Sequence, residues 1–82
     1  SERREYEVNP GERMEFTINK GERFEFKTNR PMTVRVELDG REERYTATPG
    51  ESISVQNNSD NPARVEIQND SDEPVRVEVR RH

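Results

Sequence analysis

The chain has 82 residues, 26% of them hydrophobic and 39% charged, with 18 acidic and 14 basic side chains and a net charge of −4. That length admits one small domain, residues 1–82, with a single thin core. Glu and Arg are interspersed, so no basic field invites nucleic acid, and no two apolar residues are adjacent, which excludes a membrane span and a signal peptide and predicts a soluble chain.

Without cysteine there is no disulfide framework and no thiolate site, so stability must come from packing. The composition alone would point to disorder, but the patterning points to strands, whose side chains alternate faces with period two. The first predicted strand carries Tyr6 and Val8 and stops at Asn9-Pro10-Gly11-Glu12; the second carries Met14, Phe16 and Ile18 and stops at Asn19-Lys20-Gly21-Glu22. The third carries Phe24 and Phe26 and stops at Thr28-Asn29-Arg30-Pro31, and the fourth carries Met32, Val34, Val36 and Leu38. Every apolar residue in this half has an even number. Asp39-Gly40 follows, the dipeptide favoured in two-residue type I′ hairpins because both central residues need positive φ. Beyond it every apolar residue is odd: Tyr45 and Ala47, then Ile53 and Val55, then Ala63, Val65 and Ile67, then Val75, Val77 and Val79. The breaks between these runs are Thr48-Pro49-Gly50-Glu51, Asn57 to Pro62 and Asn69 to Pro74, rich in the residues that turns require.

A two-residue loop at Asp39-Gly40 pairs positions whose numbers sum to 79, placing Val34 opposite Tyr45, Met32 opposite Ala47, Phe26 opposite Ile53 and Phe24 opposite Val55. The two later breaks of the second half are each two residues longer, which raises the sum to 81 and then 83. Ile18 then meets Ala63, Phe16 meets Val65, Met14 meets Ile67, Val8 meets Val75 and Tyr6 meets Val77. Apolar residues oppose apolar residues on one buried face, as cross-strand stabilisation requires. The chain therefore reads as one long hairpin bent at three matched corners. With each corner moving the ribbon to the opposite layer, strands 1, 8, 3 and 6 form one sheet and strands 2, 7, 4 and 5 the other. The expected fold is all-β: an eight-stranded antiparallel jelly-roll sandwich, with strand pairs 1-8, 2-7, 3-6 and 4-5. A Greek-key sandwich of immunoglobulin type is the rival, and it has no account of the nested sums.

In its topology the chain resembles the double-stranded β-helix of the cupin and jelly-roll families. Its regularity resembles more specifically a de novo designed double-stranded β-helix: apolar residues keep to one parity, outward positions draw on Glu, Arg, Lys and Thr, and corners follow turn chemistry. That resemblance implies a scaffold whose property is to fold stably, with no natural biochemical function. The alternative is a small binding module using the Asn/Asp-rich corner loops for calcium, carbohydrate or a protein partner.

No catalytic, cofactor-binding or metal-binding residue is assigned from the sequence. The resemblance to cupins would imply a metal held by inward histidines, but the one histidine is His82, the last residue given. Glu15, Glu25, Glu66 and Glu78 fall at outward parity beside Arg or Lys, where surface ion pairing is expected. Ser52, Ser54, Ser59 and Ser71 lack a histidine base, so the chain is not expected to be an enzyme. The loops Asn57 to Asn61 and Asn69 to Glu73 concentrate oxygen ligands without EF-hand spacing, and Asx turns before Pro62 and Pro74 account for them. Both Asn57-Asn58-Ser59 and Asn69-Asp70-Ser71 match the glycosylation acceptor pattern, a signal that short sequences often meet by chance. All five aromatic residues lie on core parity, which leaves no stacking platform for sugars or bases. Arg41 and Glu43 share that parity near the hairpin tip and are expected to overhang the core in water. Expected partners are none, neither nucleic acid nor membrane, and the expected state is a monomer without cofactor.

Overall fold

The computed structural model describes Glu2–His82, and these residues form eight strands: β1 Glu2–Val8, β2 Arg13–Ile18, β3 Arg23–Thr28, β4 Met32–Leu38, β5 Arg41–Ala47, β6 Ser52–Gln56, β7 Ala63–Gln68 and β8 Val75–Arg81. Asp39 and Gly40 take φ of 51° and 75°, the backbone of a type I′ turn, whose twist matches that of the strands it joins. From this tip the pairing runs outward in the register read from the sequence. Leu38 faces Arg41 and Val34 faces Tyr45; Phe26 faces Ile53; Phe16 faces Val65; Tyr6 faces Val77.

The sheet orders are β1-β8-β3-β6 and β2-β7-β4-β5, which excludes the Greek-key alternative. No turn joins β3 to β8 or β4 to β7, yet both contacts keep core residues together. Phe26 faces Val79 and Thr28 faces Val77, while Val34 faces Ile67 and Val36 faces Val65. A slip of one residue in either pair would turn a whole apolar set to solvent, so burial holds these registers where no loop can.

The two tight corners of the first half, Asn9 to Glu12 and Asn19 to Glu22, lie ten residues apart and are built alike. The Glu12 N–H donates to Asn9 O and the Glu22 N–H to Asn19 O, both at 3.0 Å, closing four-residue turns whose third residues, Gly11 and Gly21, have φ near 80°. Positive φ at that position defines a type II turn and favours glycine; a Cβ on Gly11 would meet nothing within 4 Å, so backbone conformation and not space selects glycine there. The carboxylates of Glu12 and Glu22 also accept from the Asn9 and Asn19 N–H groups, at 3.1 and 2.8 Å. Each Asn-x-Gly-Glu unit is thus a self-bonded corner.

The core is densest under the four inner strands. Val65, Ile67, Val75 and Val77 of β7 and β8 are buried with Phe24, Phe26 and Val34 of β3 and β4. Phe16 crosses from the second layer to the first, its ring 5.7 to 6.0 Å from those of Tyr6, Phe24 and Phe26. These are the tilted and edge-on separations that aromatic rings favour.

Parity overstates burial at the rims. Tyr45 on the edge strand β5 is 41% exposed, so the expectation that every aromatic would be hidden is corrected for this ring. Met14, Phe16, Ile53 and Val55, all on edge strands, are only partly buried. An edge strand has a neighbour on one side only, and sheet twist carries it away from the opposite layer. Arg41 and Glu43 are exposed, as expected for side chains that overhang the core. His82 continues the β3–β8 ladder: it exchanges both backbone hydrogen bonds with Arg23, at 2.8 and 3.2 Å.

Candidate functional site

The densest polar clusters inside the molecule are at the two long corners. Asn57 and Asn69 are both completely buried. Each is placed by the tight turn it faces: Gly21 N–H donates to Asn57 O and Gly11 N–H to Asn69 O, at 2.8 and 2.9 Å, while the two asparagine N–H groups donate to Glu22 O and Glu12 O. Their side chains repeat one arrangement. Asn69 Nδ2 donates to Val8 O at 2.9 Å and Glu73 O at 2.8 Å, and its Oδ1 accepts from the Ser71 N–H at 2.9 Å and Ser71 Oγ at 2.6 Å. Asn57 does the same with Ile18 O, Asn61 O and both donors of Ser59.

This geometry decides what the corner loops can do. The amide oxygens already accept two hydrogen bonds each, from the N–H and Oγ of Ser59 and of Ser71. The acceptor nitrogens of the two glycosylation-like triplets are buried and doubly bonded, which leaves them inaccessible to a glycosyl donor. The Asx-turn reading of the loops is the one the side chains adopt. Sequence reasoning identified the turn composition and missed that one residue in each loop is a buried pin; the twelve-residue recurrence of Asn-x-Ser is the signal that marked them.

The outward carboxylates pair with arginines on neighbouring strands, both directly across and on diagonals. Glu15 stands directly opposite Glu66 and Arg35 opposite Arg44, but on the other side of β4 Arg35 stands directly opposite Glu66. Arg35 reaches Glu66 at 3.5 Å and Glu42 at 3.3 Å, and Arg13 reaches Glu66 at 3.8 Å. Glu66 Oε1 is buried and lacks a hydrogen bond in addition to the Arg35 ion pair. On the other sheet Arg3 reaches Glu78 at 3.5 Å, and Glu25 lies between Arg23 at 3.6 Å and His82 at 2.6 Å. At the open rim, the Tyr45 hydroxyl donates to the Glu43 carboxylate. That hydrogen bond, with smaller contributions from burial and the carboxylate charge, raises the Tyr45 pKa above its ordinary value. The Arg81 guanidinium lies 4.5 Å from the centre of the Phe24 ring and shields that end of the core.

Among the described residues no group of three or more His, Cys, Asp or Glu side chains is placed to hold a metal ion. No helix among them is long and apolar enough to cross a membrane.

A single hairpin wound so that its paired arms alternate between two four-stranded layers is a double-stranded β-helix, and its polar concentrations are corners and ladders of that fold. Neither a protein-family model nor a curated protein sequence matches the chain. The solution NMR structure of a de novo designed double-stranded β-helix matches it over the full length of both chains, at 32% identity and a TM-score of 0.79. The chain belongs to the de novo designed double-stranded β-helices, and as a designed scaffold it has no natural biochemical function.

Proposed function

We propose that this chain is a non-catalytic scaffold: a single folding unit over residues 1–82 that takes no cofactor, carries out no reaction and is a monomer when dilute. The observation that supports this reading most is the state of its corner loops. Their concentrated donors and acceptors, which a binding module would turn outward, bond to Val8, Ile18 and the loops' own backbone. A group engaged in this way would have to break several hydrogen bonds before meeting a ligand.

The test is thermal melting with added calcium and with chelator. Any species that binds only the folded state raises its stability in proportion to RT ln(1 + [L]/Kd). The expected result is one melting temperature in both solutions. A rise with millimolar calcium that chelator reverses would replace the scaffold reading with a calcium-dependent module.

A further inference from the structure

Four strands end the two sheets, β1 and β6 in one and β2 and β5 in the other. Three of them carry charge along their length: Glu2, Arg3, Arg4, Glu5 and Glu7 on β1, Arg13 and Glu15 on β2, and Arg41 to Arg44 on β5. Charged side chains on an edge are what keep its unpaired backbone from recruiting another strand. β6 reads Ser52-Ile53-Ser54-Val55-Gln56 and has none.

The backbone of β6 can be oriented from its neighbours. Arg23 exchanges both hydrogen bonds with His82, and the Asn29 N–H donates to Arg76 O at 3.2 Å, so the odd residues of β3 bond toward β8. Backbone groups alternate sides along a strand, and the even residues Phe24 and Phe26 therefore bond toward β6. Their partners there are Val55 and Ile53. Ser52, Ser54 and Gln56 consequently present their N–H and C=O groups to the free edge.

We propose that β6 pairs antiparallel with β6 of a second copy of this chain, about a two-fold axis through Ser54. In that register Ser54 faces its own counterpart, Ser52 faces the partner's Gln56, and Ile53 faces the partner's Val55. The serine and glutamine positions, whose backbone groups point outward, become the hydrogen-bonded pairs. Ile53 and Val55 fall at the non-hydrogen-bonded positions, where side chains approach most closely, and both lie on the core face. Glu51 meets the partner's Asn57 and not a second glutamate, so no like charges oppose each other. Val55 and the exposed Tyr45 border a cleft of about 340 Å³ at this same rim, and the pairing covers the apolar surface that one chain leaves open there.

Sedimentation of the chain from about 10 μM to about 1 mM should show a reversible monomer–dimer equilibrium. Ser54 is exposed and lies opposite Glu25 within the chain, so Ser54→Lys gains a cross-strand partner in the monomer while placing two lysines face to face across the axis. It should raise the midpoint concentration about fivefold with the melting temperature of the dilute chain unreduced. Ser54→Glu alone should also weaken the dimer, and an equimolar mixture of the two variants should restore it, because lysine then faces glutamate. Thr17→Glu on the β2 edge, opposite Arg64, should leave the equilibrium unchanged. A chain that stays monomeric through the whole range, a dimer that survives both Ser54 substitutions, or a mixture that restores nothing would each overturn the proposal.

Discussion

Replacing Asn69 with alanine tests whether the long corners are held by their buried amides. The substitution deletes two donations, to Val8 O and Glu73 O, and two acceptances, from the N–H and Oγ of Ser71. Glu73 is exposed and Ser71 half-buried, so water can replace part of what they lose. The contact with Val8 O is in the buried corner, where a lost partner costs about 1–3 kcal/mol, against about 1 kcal/mol in all for the three bonds to Glu73 and Ser71 that water can substitute. The sum is a loss of about 2–4 kcal/mol, a large fraction of the ~5–15 kcal/mol that small domains possess. In a chain of this size that corresponds to a melting temperature lower by about 8–30 °C. Urea unfolding followed by circular dichroism measures it directly. Asn57→Ala should match it, and since the two asparagines share no partner, the double variant should show the sum of the two losses within about 0.5 kcal/mol. A cost for Asn69→Ala below about 0.5 kcal/mol, the range of an ordinary surface change, would refute the claim that the amide pins the corner.

Three further outcomes follow from the same structure. Thr28 is 3% exposed and its Oγ1 has no hydrogen-bond partner among the described residues, so Thr28→Val should stabilise the fold by about 1 kcal/mol in the same urea assay; a destabilised variant would show that the hydroxyl is satisfied. Ile67 is fully buried and faces both Met14 and Val34, so Ile67→Ala should cost about 2–5 kcal/mol, whereas Tyr45→Ala at the open rim should cost clearly less. The Glu43 hydrogen bond raises the Tyr45 pKa in the folded state, so it stabilises the fold below the ordinary tyrosine pKa and is lost as pH rises through the folded value. Spectrophotometric titration of Glu43→Gln should find Tyr45 ionising at lower pH than in the parent chain, and an unchanged titration would dissociate the shift from Glu43.

The sequence by itself determined the pairing of each arm with the other. A two-residue turn at Asp39-Gly40 sets the first register, and because side chains alternate with period two, the lengths of successive breaks propagate it through sums of 79, 81 and 83 to Tyr6 opposite Val77. Corner chemistry was legible for the same reason, since Gly11 and Gly21 hold φ values that side chains disfavour. What only the tertiary structure decided involves partners that no turn connects. The registers of β3 on β8 and β4 on β7 follow from matching two apolar faces in space. The burial of Asn57 and Asn69 depends on which tight turn folds over each loop, and alternation carries no information about that. Parity likewise placed Tyr45 with the core, but it specifies only a face of the sheet; how far that face is covered depends on where the opposite layer ends.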